Sequence, residues 1–249
     1  RSNSQRQVGF GYDGGGIRCC FVICAGAERR DQRGAVHQRT AGAGIHRGGN
    51  GKCSAAVRVQ VHIGVDITRI FCGLNDVRNI ALSIKYAKAA GMIAQAAMCI
   101  TYSEVHNVEY YVNMAEQLIA EGADEICLKD MAGIGRPDML GKIVKAIKTS
   151  HPEIPIQYHG HSGPGFSVAS MLEVAKAGVD YLDVAMEPLS WGMVHPDVIT
   201  IQAMLKDAGF KVPEINMKAY MEARRLTQSF VDDFLGYFID ERNKYMTSL

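Results

Sequence analysis

From Gly64 onward the apolar positions alternate between two rhythms, and the alternation recurs about every 30 residues. Val65–Phe71 is a β-branched run of strand length. Val77, Ile80, Ala81 and Ile84 then follow at i, i+3, i+4 and i+7, which predicts a helix capped by Asn75 or Asp76 and ended by Gly91. Ile93–Ile100 predicts the next strand. The helix after it buries Val108, Tyr111, Ala115, Leu118 and Ile119 and stops at Gly122. A third unit joins strand Glu125–Lys129 to a helix opened by Pro137, lined by Leu140, Ile143, Val144 and Ile147, and closed before Pro152. The fourth joins Ile154–His159 to a helix ending at Gly178, and the fifth joins Tyr181–Ala185 to a helix running from near Pro196 to Gly209. Gly91 and Gly122 lie 31 residues apart, as do Gly178 and Gly209, the length of one βα repeat. Residues 213–249 add a helical extension carrying Met217, Tyr220, Met221, Leu226, Phe230, Phe234 and Leu235.

Repeated βα units imply parallel strands, arranged as an open doubly wound sheet or as an eight-stranded (β/α)8 TIM barrel. No Gly-x-Gly-x-x-Gly follows the first strand, which disfavours a dinucleotide fold. The polar residues favour the barrel, because they gather at the C-terminal ends of two consecutive strands, where barrel active sites form.

Those residues are Lys129, His159 and His161. His159 and His161 are two apart on a strand, so both imidazoles leave one face, as two ligands of one metal require. Gly163, Pro164 and Gly165 place a tight loop directly after them. Polar core or surface histidines remain the alternative for the pair. Lys129 ends an apolar strand. It is either a structural ion-pair partner of Asp130 or Glu187, or an amine that takes up carbon dioxide to become an anionic carbamate able to ligate a divalent ion.

Composition changes the picture at the N-terminus. Residues 1–62 hold 10 Lys and Arg against 3 Asp and Glu, whereas 63–249 hold 17 against 23. The first segment contains 12 of the 26 glycines and no Leu, Met or Pro, so it lacks the material of an ordinary core. Only Cys19–Cys24 has the apolar density of a strand there. A basic arm binding nucleic acid would need interleaved aromatics, and only Phe10, Tyr12 and Phe21 are present. We therefore expect no nucleic-acid partner, and read residues 1–63 as an atypical Gly/Arg-rich segment, disordered or translated out of frame. Seven cysteines without a Cys-x-x-Cys pair fit free thiols in a reducing compartment. No apolar run reaches the roughly 20 residues of a membrane span, so the expected location is cytoplasmic.

Five motifs, Thr68–Asn79, Ser103–Tyr111, Leu128–Gly133, His159–His161 and Asp183–Gly192, occur in the order found in the carboxyltransferase of biotin-dependent enzymes. Over about 64–240 the chain resembles that family, which includes pyruvate carboxylase, the oxaloacetate decarboxylase α subunit and transcarboxylase. The resemblance implies a TIM barrel related to the hydroxymethylglutaryl-CoA lyase group, with strands four to eight recognisable in 64–212. It implies that Lys129 is a carbamylated catalytic lysine and a metal ligand together with His159 and His161, around zinc, or manganese or cobalt. Arg69 is a weaker candidate for binding the substrate carboxylate, with a strand-end salt bridge as the alternative.

The activity so implied is carboxyl transfer between a short 2-keto acid, oxaloacetate or pyruvate, and biotin. The chain has no biotin-attachment sequence, so biotin would come on a separate carrier protein within a homo-oligomer or multi-subunit complex. Three departures stand out, the first being that strands one to three have no recognisable counterpart in residues 1–62. No strand bearing the family's first-strand Arg-Asp pair is recognised, and Met193 stands where relatives place a proton-relaying threonine. A thioether cannot relay a proton. The alternatives are a metal-dependent lyase or Claisen-type synthase of the same superfamily, which needs no modified lysine, and a non-catalytic incomplete barrel.

Overall fold

The computed structural model describes residues 18–21, 40–44 and 66–238. Most of residues 1–63, and 239–249, lie outside the described residues, as therefore does most of the segment read as atypical. Seven strands form one all-parallel sheet: β1 (Arg18–Phe21), β2 (Thr40–Gly44), β3 (Ile67–Phe71), β4 (Ile93–Cys99), β5 (Glu125–Asp130), β6 (Ile156–Gly160) and β7 (Tyr181–Val184). Their order is β1-β7-β6-β5-β4-β3-β2. The first strand beside the last is the circular order of a barrel; a doubly wound sheet would place it in the interior. Among the described residues one strand, between β1 and β2, is wanting from eight.

Helices α1 (Val77–Ala89), α2 (Val108–Ala120), α3 (Pro137–Ser150), α4 (Ser167–Lys176) and α5 (Val198–Asp207) alternate with β3 to β7, and α6 (Met217–Phe238) follows. All five predicted units are present, with boundaries moved by one to two residues. Asp76, rather than Asn75, caps α1, its carboxylate accepting from the Arg78 N–H at 3.0 Å. Asn75 instead adopts φ 54° and clamps β4 through both its amide atoms and the Cys99 backbone, each at 2.8 Å. The N-terminal segment supplies two strands where the sequence offered one. Thr40–Gly44 has no apolar side chain larger than alanine, and it joins the sheet by register with Ile67–Phe71.

Alternation along the strands separates two interiors. Even positions, among them Ile70, Met98, Leu128, Tyr158 and Leu182, face the helices and form the apolar core with Ile84, Leu118, Ile143 and Val174. The odd positions carry buried polar groups instead: Arg69, Gln95, Glu125, Gln157 and Asp183. These five form one hydrogen-bonded layer across the sheet's inner face. Arg69 Nε donates to Gln95 Oε1 at 2.5 Å, and Gln95 Nε2 lies 2.7 Å from Glu125 Oε2 and 2.6 Å from Gln157 Oε1. Gln157 donates to Asp183. Barrel layers are usually filled by branched apolar side chains. A satisfied polar layer here fixes the orientation of whatever stands above it.

Candidate metal centre

Toward the C-terminal ends of the strands lie Lys129, four residues beyond Glu125, and His159, two beyond Gln157. Strand register pairs them directly, so their side chains leave neighbouring strands side by side. Lys129 Nζ is 3.4 Å from His159 Nε2 and sits 5.1 Å from the Phe71 ring centroid. His161 follows β6, its backbone N–H continuing the ladder to the Asp130 carbonyl at 3.0 Å. The His159 and His161 ring centroids are 5.0 Å apart. The structure thus brings together the three residues that the sequence singled out.

Neither alternative partner holds Lys129. The Asp130 carboxylate accepts from the Ile134 and Gly135 N–H groups at 3.0 and 2.9 Å, and Glu187 pairs with Arg224 at 2.9 Å. Arg69 lies deeper than a strand-end salt bridge. Its Nη1 donates to the wholly buried Asp183 at 2.9 Å, so binding a substrate carboxylate would require it to share Asp183. Met193 is 74% exposed on the rim, with Met131 and Leu189 also exposed.

Sequence reasoning missed two residues. Asp183, inside a recognised motif but given no role there, holds His159 Nδ1 at 2.6 Å. A carboxylate can only accept, so Nδ1 carries the proton and Nε2 keeps its lone pair. Arg69 Nη1 and His159 Nδ1 stand 3.0 Å apart because they share that acceptor. His195, in the loop between β7 and α5, packs edge-on against both other rings, 4.3 Å from His159 and 4.9 Å from His161 between centroids. Its Nδ1 donates to the Gly160 carbonyl at 2.9 Å. The signal for it was its place just past the end of the last strand.

Burial works against ionisation of Asp183, yet Arg69 and His159 hold its carboxyl well below the usual carboxylate range. Burial pulls His159 down to about 4 against the raising effect of Asp183, and pulls His161 to about 4 with help from the charges of His195 and Lys129. His195 is lowered too, again first by burial. All three imidazoles are therefore neutral at pH 7, the form that binds metal.

The residues fit a divalent ion: ring nitrogens of His159, His161 and His195 lie within 4.8 Å of one another. His159 and His195 each have their other nitrogen tied to an oxygen. The loops that hold them require glycine. Gly133 has φ 67°, and a Cβ on it would collide with the His161 carbonyl oxygen. Ser162 and Gly163 N–H groups donate to the Val194 and Gly192 carbonyls at 2.7 and 2.8 Å, tying the β6 loop to the His195 loop.

The HMGL-like family model matches residues 51–226, reaching into the segment read as atypical. A pyruvate carboxylase subunit of Methanocaldococcus jannaschii is 37% identical over 182 residues, covering 73% of this chain and 30% of that protein. The methylmalonyl-CoA carboxyltransferase 5S subunit of Propionibacterium freudenreichii subsp. shermanii is 40% identical over 148 residues, 59% of this chain and 29% of its own length. The carboxyl transferase domain of Rhizobium etli pyruvate carboxylase, solved with pyruvate and biocytin, superposes with a TM-score of 0.66 at 27% identity, covering 77% of this chain and 33% of that one. The chain thus spans about a third of the length of each of these relatives. With the barrel order of its strands and a family match over most of its length, the chain belongs to the HMGL-like family of TIM barrels.

Proposed function

We propose that this barrel catalyses carboxyl transfer between a short 2-keto acid, oxaloacetate or pyruvate, and biotin presented by a separate carrier protein. The observation that carries the reading is the Lys129 amine 3.4 Å from His159 Nε2 beside the His161 ring. An ammonium in that place would repel a cation. A neutral amine can instead add carbon dioxide, forming an N–C bond and releasing one proton, and the resulting carbamate is an anionic oxygen ligand. Lys129, His159 and His161 would then hold a divalent ion, zinc, manganese or cobalt. Such an ion, when bound, polarises a keto-acid carbonyl and stabilises enolate charge.

The chain's own residues prepare that site. Asp183 fixes the His159 ring and its protonated nitrogen, and Arg69 keeps Asp183 ionised. Arg69 Nη1 is close enough to His159 that a substrate carboxylate at the ion could share it, and we assign it that role. The Gly133 and Gly163 loops bring the β5 and β6 mouths together. Met193 has no proton to relay, so the exchange between biotin and enolate lacks the hydroxyl expected from the resemblance.

The test is oxaloacetate decarboxylation by the protein with a biotinylated carrier, with mass spectrometry of Lys129 under carbon dioxide. Biotin-dependent turnover lost in Lys129→Ala supports the proposal. Metal binding with an unmodified lysine and no biotin dependence would favour the lyase or synthase reading instead.

A further inference from the structure

We infer that His195 is a third imidazole ligand of the divalent ion, so that this chain holds its metal with three histidines. The inference rests on the metal-binding reading above and goes beyond it, since neither the sequence pattern nor the Lys129 chemistry calls for a ligand from the loop after β7. Three observations carry it. The ring nitrogens of His159, His161 and His195 lie within 4.8 Å of one another. Tetrahedral coordination at bonds of about 2.0–2.1 Å needs nitrogens about 3.3 Å apart, so side-chain adjustments of about an ångström complete the site. The His195 ring plane stands at 86° to His159 and 84° to His161, so the rings do not stack in parallel.

The second observation is how the ring is held. Nδ1 donates to the Gly160 carbonyl, which leaves Nε2 as the lone-pair nitrogen, the same division of labour that Asp183 imposes on His159. The third is the anchoring of the loop. The His195 carbonyl accepts from Trp191 N–H at 2.8 Å, and the Pro196 carbonyl accepts from Ala185 N–H at 2.9 Å. Asp197 caps α5 and takes the Tyr220 hydroxyl at 2.7 Å. A ligand on so fixed a loop loses little freedom on binding, which raises affinity. With the Lys129 carbamate as a fourth ligand, the ion would take substrate by expanding to five-coordination.

The full chain is loaded with cobalt(II) and with zinc, and wild type is compared with His195→Gln and His195→Gly. Affinity is read by chelator competition, the imidazole count by X-ray absorption, and coordination number by the visible cobalt spectrum. Removing a ligand should weaken binding by about a hundredfold or more, at least the upper end of what losing a group behind a ligand costs. The imidazole count should fall from three to two, and free imidazole should restore binding to His195→Gly. Unchanged affinity in both variants, or two imidazoles in wild type, overturns the inference and leaves the metal reading standing. No binding by wild type ends both. Loss of binding in both variants without rescue by imidazole would mark His195 as merely structural and also count against the inference.

Discussion

Asp183→Asn removes one charge from the most buried ion pair among the described residues while keeping the side chain's shape. In the native protein Asp183 is wholly buried and accepts from Arg69 Nη1 at 2.9 Å and His159 Nδ1 at 2.6 Å. The amide removes the charge that Asp183 sets against Arg69, a residue only 5% exposed. Breaking one side of such a pair costs about 3–5 kcal/mol, a large share of the roughly 5–15 kcal/mol that a domain has in total. For a chain of this size each kcal/mol lowers Tm by about 2–4 °C, so the metal-free variant should melt about 6–20 °C below wild type. Differential scanning calorimetry measures this directly. Adding Arg69→Met should recover much of the loss, because removing both partners leaves no buried charge alone. A fall of less than about 2 °C, or a double variant no better than Asp183→Asn, would refute the claim that this pair holds the floor of the site.

Met193→Thr, on the exposed rim, should leave Tm unchanged and raise the rate of carboxyl transfer to biotin, about a hundredfold if the hydroxyl finds its geometry; a biotin-dependent decarboxylation assay reads it. Stability of the metal-free protein should fall with acid. His159 and His161 titrate near 4 in the folded chain against about 6.5 unfolded, so the unfolded state binds more protons below pH 6.5. Their contribution is complete above about pH 6.5 and is lost as pH falls towards 4, which denaturant titrations from pH 7.5 to 4.5 will follow. Of the atypical segment 1–63, we propose that the part before the family match begins at residue 51 is not the gene's native product, and that 64–212 is the carboxyltransferase barrel with 213–249 as its extension. Reading the source DNA in its other two frames should then yield strand-like runs upstream, and finding none would count against it.

What the sequence made legible depended on which interaction fixes each residue. β3 to β7 and their helices follow from apolar side chains that must face a core, and those repeat with period 2 or 3.6. Thr40–Gly44 gave no such signal, because its place in the sheet is specified by backbone pairing to β3. The exchange of roles between Asn75 and Asp76 turns on a single positive φ, which a composition reading does not register. His-x-His and Lys129 were legible because strand geometry alone puts them on one face. His195 was not, since its position depends on a loop stitched by backbone hydrogen bonds to the loop after β6. The polar inner layer had a visible trace in Arg69, Gln95, Glu125, Gln157 and Asp183, five polar residues at alternate positions of otherwise apolar strands. The meaning of that trace needed the register of neighbouring strands.

The most direct test of the metal centre is a crystal structure of the zinc-loaded protein grown under carbon dioxide, with anomalous data at the zinc edge. One ion is expected about 2.0–2.1 Å from nitrogens of His159 and His161, with extra density on Lys129 Nζ supplying an oxygen ligand. Zinc bound elsewhere, or an unmodified Lys129 turned away from the two rings, would contradict it.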